Sequence, residues 1–85
     1  MAQVMSPREQ AFVLITCETD SEFRVAEQIK TLPGVKEVAM TSGSHDILVN
    51  VEAHDVESLK NTIDEKIRGI SGIRATTTLV IAGSL

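Results

Sequence analysis

The feature that most constrains the fold of this chain is an internal repeat. Leu-Pro-Gly-Val at residues 32–35 corresponds to Ile-Ser-Gly-Ile at residues 70–73, an offset of 38 residues. At the same offset, apolar helix positions of one half correspond to apolar positions of the other: Val25 to Ile63 and Ile29 to Ile67. Each half has the order strand, helix, tight turn, strand. Two such units packed side by side form the βαββαβ plan of ferredoxin-like domains.

A hairpin joins the two halves. Residues 41–47, with the sequence TSGSHDI, lie between two extended, apolar-rich runs at residues 35–41 and 47–53. Gly43 tolerates positive φ, and serine and aspartate side chains hydrogen-bond their own backbone in turns. The stretch therefore predicts a tight connection between two antiparallel strands.

The first strand, residues 11–17, is largely apolar on both of its faces. A strand of that kind is covered on both sides. Both helices are predicted on one face of the sheet, which leaves Phe12, Leu14 and Leu48 on the other. Because a chain of 85 residues buries only about 60% of its unfolded surface and is marginally stable alone, we expect it to dimerise through this second face.

The helices are predicted from apolar spacing and from their capping residues. Thr19 stands in capping-box relation to Glu22, with Ser21 as an alternative N-cap, and the first helix ends at Pro33. Asp55 is the predicted N-cap of the second helix. The buried stripe of the second helix is predicted to be Val56, Leu59, Ile63, Ile67 and Ile70.

The remaining boundaries complete an α+β fold. The second strand is predicted at residues 35–42, as an edge strand because it carries charges, and the last strand at residues 73–82. The expected domain organisation is a leader (residues 1–10), the domain (residues 11–82) and a tail (residues 83–85). The domain is predicted to be a ferredoxin-like βαββαβ sandwich, with a four-stranded antiparallel sheet, two helices on one face and dimerisation through the other.

Charge and composition exclude several classes of partner. The chain carries a net charge of −4, and its only aromatic residues are Phe12 and Phe23. Surfaces that bind nucleic acid are basic and often carry aromatics for stacking, so no direct nucleic-acid binding is predicted. No apolar run reaches the roughly 20 residues of a membrane span, and no signal peptide is evident. A cytoplasmic location with no membrane partner is therefore predicted.

Two His-Asp pairs are candidates for metal or catalytic chemistry. His45-Asp46 and His54-Asp55 flank one strand, and at about 3.3 Å per residue they stand roughly 30 Å apart. They cannot share a metal within one chain, and Asp55 is better explained as a helix cap. Cys17, the single cysteine, is more typical of a small buried hydrophobe than of a nucleophile. We therefore predict no metal site, no cofactor and no catalytic residue.

The most informative polar residues are Asp46, Thr76, Thr78 and the turn at Gly43. A carboxylate, two hydroxyls on one strand face and free turn N–H groups are complementary to the ammonium and carboxylate groups of a free α-amino acid. In this fold the hairpin and the last strand can meet only across a subunit boundary or at the end of the sheet. The alternative is that Asp46 caps its own turn and the threonines are ordinary strand residues.

Over residues 11–82 the chain resembles the effector-binding module of the Lrp/AsnC (feast/famine) regulators, also called the RAM domain. The matching features are residues 32–35, residues 70–73, the threonine run at residues 76–78, and the hairpin at residues 41–47 in place of the family's Gly-x-x-Asp loop. The resemblance implies face-to-face homodimers that assemble into tetramers or larger rings, with amino-acid effectors bound in clefts between dimers. Full-length Lrp/AsnC regulators are the implied protein partners.

The resemblance also implies a set of ligand-binding residues. These are Gly43, His45, Asp46, Thr76 and Thr78, together with Thr16 and Thr19. Ten leader residues cannot form the helix-turn-helix domain of full-length members, so the chain resembles the stand-alone form of the module, and DNA binding is not expected of it. His45 also departs from the family, in which tyrosine is common at this position.

Two other functions are compatible with the predicted fold. Small dimeric α/β-barrel oxygenases use the same sheet-face dimer, and His45 or His54 would then be a catalytic base in an enclosed cavity. ACT-like regulatory modules share the fold and the type of ligand. An enclosed apolar cavity under the sheet would favour the enzyme.

Overall fold

The computed structural model describes residues 9–81. In chain order the elements are β1 (Glu9–Cys17), α1 (Glu22–Lys30), β2 (Val35–Met40), β3 (Ile47–Ala53), α2 (Val56–Asn61) continued by a π-helical segment (Thr62–Ile67), and β4 (Ile73–Ile81). The predicted tail and most of the predicted leader lie outside the described residues. Residues 9 and 10 of that leader belong to β1.

The sheet has the predicted ferredoxin-like topology. Its four strands lie in the order β2-β3-β1-β4, and all three pairings are antiparallel. The register sets Ile15 between Ile47 of β3 and Thr76 of β4. Residues opposite one another share a face of the sheet, so this register decides which side chains meet the helices. The prediction that β2 is an edge strand is confirmed.

The core lies between one face of the sheet and the two helices. Alternate residues of the central strands are fully buried there: Ala11, Val13 and Ile15 of β1, and Ile47, Val49 and Val51 of β3. The helices contribute Val25, Ala26, Ile29, Leu59, Ile63 and Ile67. Five of the largest buried side chains are isoleucine or leucine, so this layer carries most of the apolar burial that stabilises the fold.

The two helix starts differ in how they are capped. Asp55 caps α2 as predicted, because its Oδ1 accepts a hydrogen bond of 2.7 Å from the Ser58 backbone N–H. The capping box expected from Thr19 is wrong, since α1 begins at Glu22 with Ser21 as N-cap and no side-chain cap bond. Asp20 precedes this start with φ +64°, and this left-handed turn sets the entry of the chain into α1.

Four boundaries differ from the predicted ones. The first helix was expected to end at Pro33, but α1 ends at Lys30 with Thr31 as its C-cap. β1 begins two residues early, because Glu9 and Gln10 continue the pairing with β3. β2 ends at Met40, because the next N–H, that of Thr41, closes the hairpin onto the Asp46 carbonyl. The second helix leaves the α-helical pattern after Asn61. Its apolar stripe is buried at Leu59, Ile63 and Ile67, but Val56 is 43% exposed.

The repeated glycines have a common physical reason. Gly34 and Gly72 both have positive φ, +89° and +102°. A Cβ on Gly34 would lie 2.9 Å from the Glu52 carbonyl oxygen, and one on Gly72 would lie 2.6 Å from the Arg24 guanidinium. Both turns therefore need glycine for their backbone conformation, and the turn at Gly34 also needs it because a backbone carbonyl approaches so closely.

The second face of the sheet carries no helix. Phe12, Leu14 and Leu48 are half-buried there, and Leu14 pairs directly with Leu48. Leu79, opposite Phe12, is 53% exposed. Asn50 also lies on this face, and its Oδ1 is buried without a hydrogen-bond donor among the described residues. We call this surface the open face.

Candidate functional site

The hairpin at residues 41–46 is closed by its own polar groups. The Thr41 N–H donates to the Asp46 carbonyl at 2.9 Å, and the Thr41 hydroxyl donates to the His45 carbonyl at 2.8 Å. Ser44 Oγ lies 3.1 Å from His45 Nδ1. Gly43, with φ +107°, has no neighbouring atoms where a Cβ would stand. The turn is thus stabilised by hydrogen bonds between its own residues, and the space around Gly43 is open.

Asp46 ties this hairpin to the end of β1. Its backbone N–H donates to the Ile15 carbonyl at 2.8 Å. Its Oδ2 accepts a hydrogen bond of 2.7 Å from the Cys17 backbone N–H. A bond of this kind to a carboxylate is charge-assisted and short. Within residues 9–81, Oδ1 has no protein donor, so the carboxylate is held in place by one oxygen and can accept from a ligand with the other.

An open cavity of about 310 Å³ lies beside this carboxylate. Its lining comes from two separate segments, the entry into α1 and the hairpin, and consists of Asp20, Glu22, Phe23, Met40, Thr41 and Asp46. We call this the hairpin cavity. Phe23 is 78% exposed and Met40 is 45% exposed, so its apolar walls face solvent in the single chain. Its volume is at the lower end for small-molecule sites.

The electrostatic potential near the cavity is negative. Burial raises the pKa of the Cys17 thiol, and the negative charges of Asp46 and Glu22 raise it further, while Arg24 lowers it. Cys17 is buried and is not among the residues that line the cavity. A thiol with a raised pKa is a poor nucleophile near neutral pH, which agrees with the interpretation of Cys17 as a core residue.

Neither Thr76 nor Thr78 lines the hairpin cavity beside Asp46. Thr78 pairs with Val13, whereas the Asp46 carboxylate is bound to the N–H of Cys17. Val13 and Cys17 are four residues apart, which is about 13 Å along β1. Thr78 instead lines a second groove, of about 250 Å³, together with Val56, Leu59, Lys60, Ile63, Asp64 and Val80. Thr76 is half-buried opposite Ile15. At that separation, Thr78 and the hairpin can contact one small ligand only across a subunit boundary.

The other predicted contacts are spread around the hairpin end of the sheet. Gly43 is exposed and His45 is half-buried, both within the hairpin. Thr16 is half-buried opposite Ala75, and Thr19 is exposed in the loop between β1 and α1. None of these four residues lines the hairpin cavity.

Sequence reasoning missed most of the cavity lining. Only Asp46 was predicted, whereas Asp20, Glu22, Phe23, Met40 and Thr41 were not. One signal was available: Phe23 falls outside the apolar stripe formed by the buried residues of α1. Single exposed hydrophobic residues are common on protein surfaces, so this signal alone could not locate the cavity.

Neither histidine lines any of the three cavities described for residues 9–81. His54 is exposed where the chain enters α2. The open face has a cavity of about 130 Å³, lined by Phe12, Glu37, Ala39, Leu48 and Asn50. Neither histidine lines it. Among residues 9–81 no group of three or more potential ligands could hold a metal ion. No helix in the described part of the chain is long and apolar enough to cross a membrane.

Comparison with known proteins agrees with the fold. A family model described as the Lrp/AsnC ligand binding domain matches residues 10–85. An HTH-type transcriptional regulator of Pyrococcus furiosus is 44% identical over 73 residues, which covers 82% of this chain and 49% of the relative. The chain thus spans about half the length of the curated regulators it matches. The homocitrate synthase of Sulfurisphaera tokodaii is 40% identical over 73 residues, but these are only 16% of that enzyme.

Solved structures show the same architecture. The protein TTHA0845 from Thermus thermophilus superposes with a TM-score of 0.86 at 31% identity, over 91% of this chain and 96% of the other. The regulator NMB0573 from Neisseria meningitidis, solved as a complex with L-Met, superposes with a TM-score of 0.81 at 16% identity, over 100% of this chain and 60% of the other. At that identity the second comparison shows the fold alone. With its family model, its relatives and its βαββαβ fold in agreement, this chain belongs to the Lrp/AsnC ligand-binding domain family.

Proposed function

We propose that this chain is an oligomeric sensing module that binds a free amino acid and modulates transcriptional regulators of the Lrp/AsnC type, without binding DNA itself. The observation that carries the proposal is the carboxylate of Asp46. One of its oxygens is fixed by the Cys17 N–H at 2.7 Å, and the residue borders a cavity of about 310 Å³. A carboxylate fixed beside a cavity in this way is suited to accept hydrogen bonds from an ammonium group.

The module is proposed to work as a dimer or a larger ring, formed through the open face. Phe12, Leu14 and Leu48 present an apolar surface there, and the buried Asn50 Oδ1 has no donor among residues 9–81. A second sheet would cover the apolar side chains and supply the missing donor, which removes the cost of an unsatisfied buried acceptor.

The ligand is proposed to bind where two dimers meet. The hairpin cavity is open to solvent on one side, and Phe23 and Met40 on its walls are exposed in the single chain. A neighbouring subunit would close it and could present the hydroxyls of Thr76 and Thr78 to the ligand carboxylate. Ligand and assembly would then be coupled, because each would stabilise the closed interface.

The relatives support a sensing function over a catalytic one. Curated relatives are described as HTH-type transcriptional regulators, and a structural neighbour was solved with L-Met. The homocitrate synthases match over only 16–18% of their length. A module shared by regulators and by an enzyme is best explained by a property common to both, and control by a small molecule is such a property. A cytoplasmic location is part of this proposal.

The test is thermal unfolding of the purified protein with each of the twenty common amino acids at millimolar concentration. A ligand that binds only the folded state stabilises it by RT ln(1 + [L]/Kd), about 2.7 kcal/mol at 100 times its Kd. We expect at least one amino acid to raise the melting temperature. The shift should be lost in Asp46→Asn, which keeps an acceptor for the Cys17 N–H but removes the negative charge.

The matched control is Glu27→Gln, which removes one negative charge from the exposed side of α1. It disrupts only an exposed ion pair with Lys30, so the ligand shift should persist. Thr76→Val/Thr78→Val tests the proposed contribution of the neighbouring subunit, and sedimentation should show the parent's assembly in every variant. A shift that survives Asp46→Asn would place the ligand elsewhere, and a flat panel would remove the amino-acid-sensing function.

A further inference from the structure

We propose that the ligand of the hairpin cavity is a basic amino acid, one with a second cationic nitrogen at the end of an aliphatic side chain. The inference rests on the proposed function, because it takes the cavity beside Asp46 as the effector site. It adds the charge and the shape of the effector.

The lining of the cavity is acidic and has no compensating cation. Asp20, Glu22 and Asp46 contribute three carboxylates, and the other three lining residues are uncharged. The nearby basic groups are engaged elsewhere. The guanidinium of Arg24 donates to Gln28 and to the Ser71 carbonyl at 3.0 and 2.9 Å, and Arg74 lies 3.7 Å from Glu18.

A neutral amino acid complements this lining poorly. Its ammonium group can satisfy one carboxylate, but its own carboxylate would then stand near the remaining two like charges. Like charges at close range disfavour binding. A second cationic nitrogen reverses this balance, since the ligand then offers two positive charges to three negative ones. Its carboxylate can point out of the cavity, towards a neighbouring subunit.

The walls suit an aliphatic chain that ends in a cation. Phe23 and Met40 are the apolar residues of the lining, and both are exposed in the single chain. Methylene groups packed on them would cover apolar surface. The face of an exposed phenylalanine ring also attracts an ammonium or guanidinium group. Burial raises the pKa of the neighbouring Cys17 thiol, the charges of Asp46 and Glu22 raise it further, and Arg24 lowers it, so two carboxylates of the lining and one cation lie close to this point.

The test compares three ligands of similar length by isothermal titration calorimetry of the intact oligomer. L-lysine has two ammonium groups and one carboxylate, L-norleucine lacks the side-chain ammonium, and cadaverine lacks the carboxylate. We expect lysine to bind at least about tenfold more tightly than norleucine, the ratio for one additional favourable charge contact. Cadaverine should bind more weakly than lysine, because the neighbouring subunit can then contact no carboxylate.

Asp20→Asn is the variant that isolates the second charge. Asparagine tolerates the left-handed backbone of this position, φ +64°, so the loop should keep its conformation. We expect the affinity for lysine to fall by about twofold to fivefold, as for an exposed charge pair, while weak norleucine binding stays the same or improves, because one like charge near its carboxylate is removed. Glu27→Gln, on the same helix as Glu22 but outside the cavity, should change neither.

The outcomes separate this inference from the proposed function. If norleucine binds as tightly as lysine and both lose binding in Asp46→Asn, the site is real and the charge inference is wrong. If cadaverine binds as tightly as lysine, the site takes diamines and the amino-acid inference is wrong. If none of the three binds, the inference is overturned, and the amino-acid panel described above decides separately whether the proposed function stands.

Discussion

Asp46 is expected to have two separable functions, one in stability and one in ligand binding. Its Oδ2 accepts the Cys17 N–H at 2.7 Å, and Cys17 itself is only 6% exposed. In Asp46→Ala this N–H loses its acceptor in a largely buried position. In Asp46→Asn the amide oxygen can replace the carboxylate oxygen, so the hydrogen bond survives without its charge.

The magnitudes follow from these contacts. A buried donor left without an acceptor costs about 1–3 kcal/mol, and a charge-assisted hydrogen bond is stronger than a neutral one by about 1 kcal/mol. We therefore expect Asp46→Ala to lower the free energy of unfolding by about 2 kcal/mol, and Asp46→Asn by about half as much. For a domain of this size each kcal/mol corresponds to about 4–8 °C in melting temperature.

The assay is urea unfolding followed by far-UV circular dichroism, because the chain has no tryptophan or tyrosine to serve as a fluorescence probe. All proteins are compared at one concentration, since assembly adds to the apparent stability. Equal stability of the parent and Asp46→Ala would show that the hydrogen bond to Cys17 contributes nothing. Equal losses in the alanine and asparagine variants would show that the charge, and not the acceptor, is what matters.

Three further predictions concern other parts of the molecule. Leu14→Asp should dissociate or unfold the oligomer because it places a charge on the open face, whereas Leu14→Met should keep the parent's sedimentation coefficient. A parent protein that sediments as a monomer would contradict the proposed dimer. Gly43→Ala should cost about 1–2 kcal/mol for its left-handed backbone alone, and Gly34→Ala should cost more because its Cβ would also meet the Glu52 carbonyl oxygen at 2.9 Å; equal losses of unfolding free energy would refute the crowding argument. The hydrogen bond from the Ser58 N–H lowers the pKa of Asp55. The stabilisation that this cap gives the protein is complete above the ordinary aspartate pKa and is lost as the pH falls through the lower folded-state pKa. The difference in unfolding free energy between the parent and Asp55→Ala should therefore narrow in acid, and a constant difference would contradict the cap.

The topology could be predicted from the sequence because the repeat encodes it. Turns that need glycine at Gly34 and Gly72, and the apolar spacing shared by the two halves, leave few arrangements besides βαββαβ. The cap at Asp55 was also predictable, since it depends on residues adjacent in the chain. Local signals of this kind need no knowledge of the tertiary structure.

The π-helical segment could not be predicted in the same way. Ile63 and Ile67 are four residues apart, a spacing that fits an α-helical stripe, and both are indeed buried. The Arg68 N–H nevertheless bonds to the carbonyl of Ile63, five residues earlier. The spacing of apolar residues indicates which residues face the core, but it does not indicate to which carbonyl each N–H is hydrogen-bonded.

The hairpin cavity was hidden for a different reason. Its lining comes from the entry into α1 and from the hairpin, two segments about twenty residues apart. They meet because β1, which leads into α1, pairs with β3, which follows the hairpin. The positive φ of Asp20 then sets the direction in which the chain enters α1, and no local sequence pattern predicts a positive φ at an aspartate. A site built by tertiary pairing in this way can be recognised only once the register is known.

The central claim is that a small effector occupies the cavity beside Asp46 and is completed by a second subunit. A crystal structure of the oligomer grown with a saturating stabilising amino acid tests it most directly. We predict the ligand ammonium within about 3 Å of the Asp46 carboxylate, with the Cys17 N–H still bound to Oδ2 and a neighbouring subunit in contact with the ligand carboxylate. A ligand bound away from the hairpin, or held within one chain alone, would contradict it.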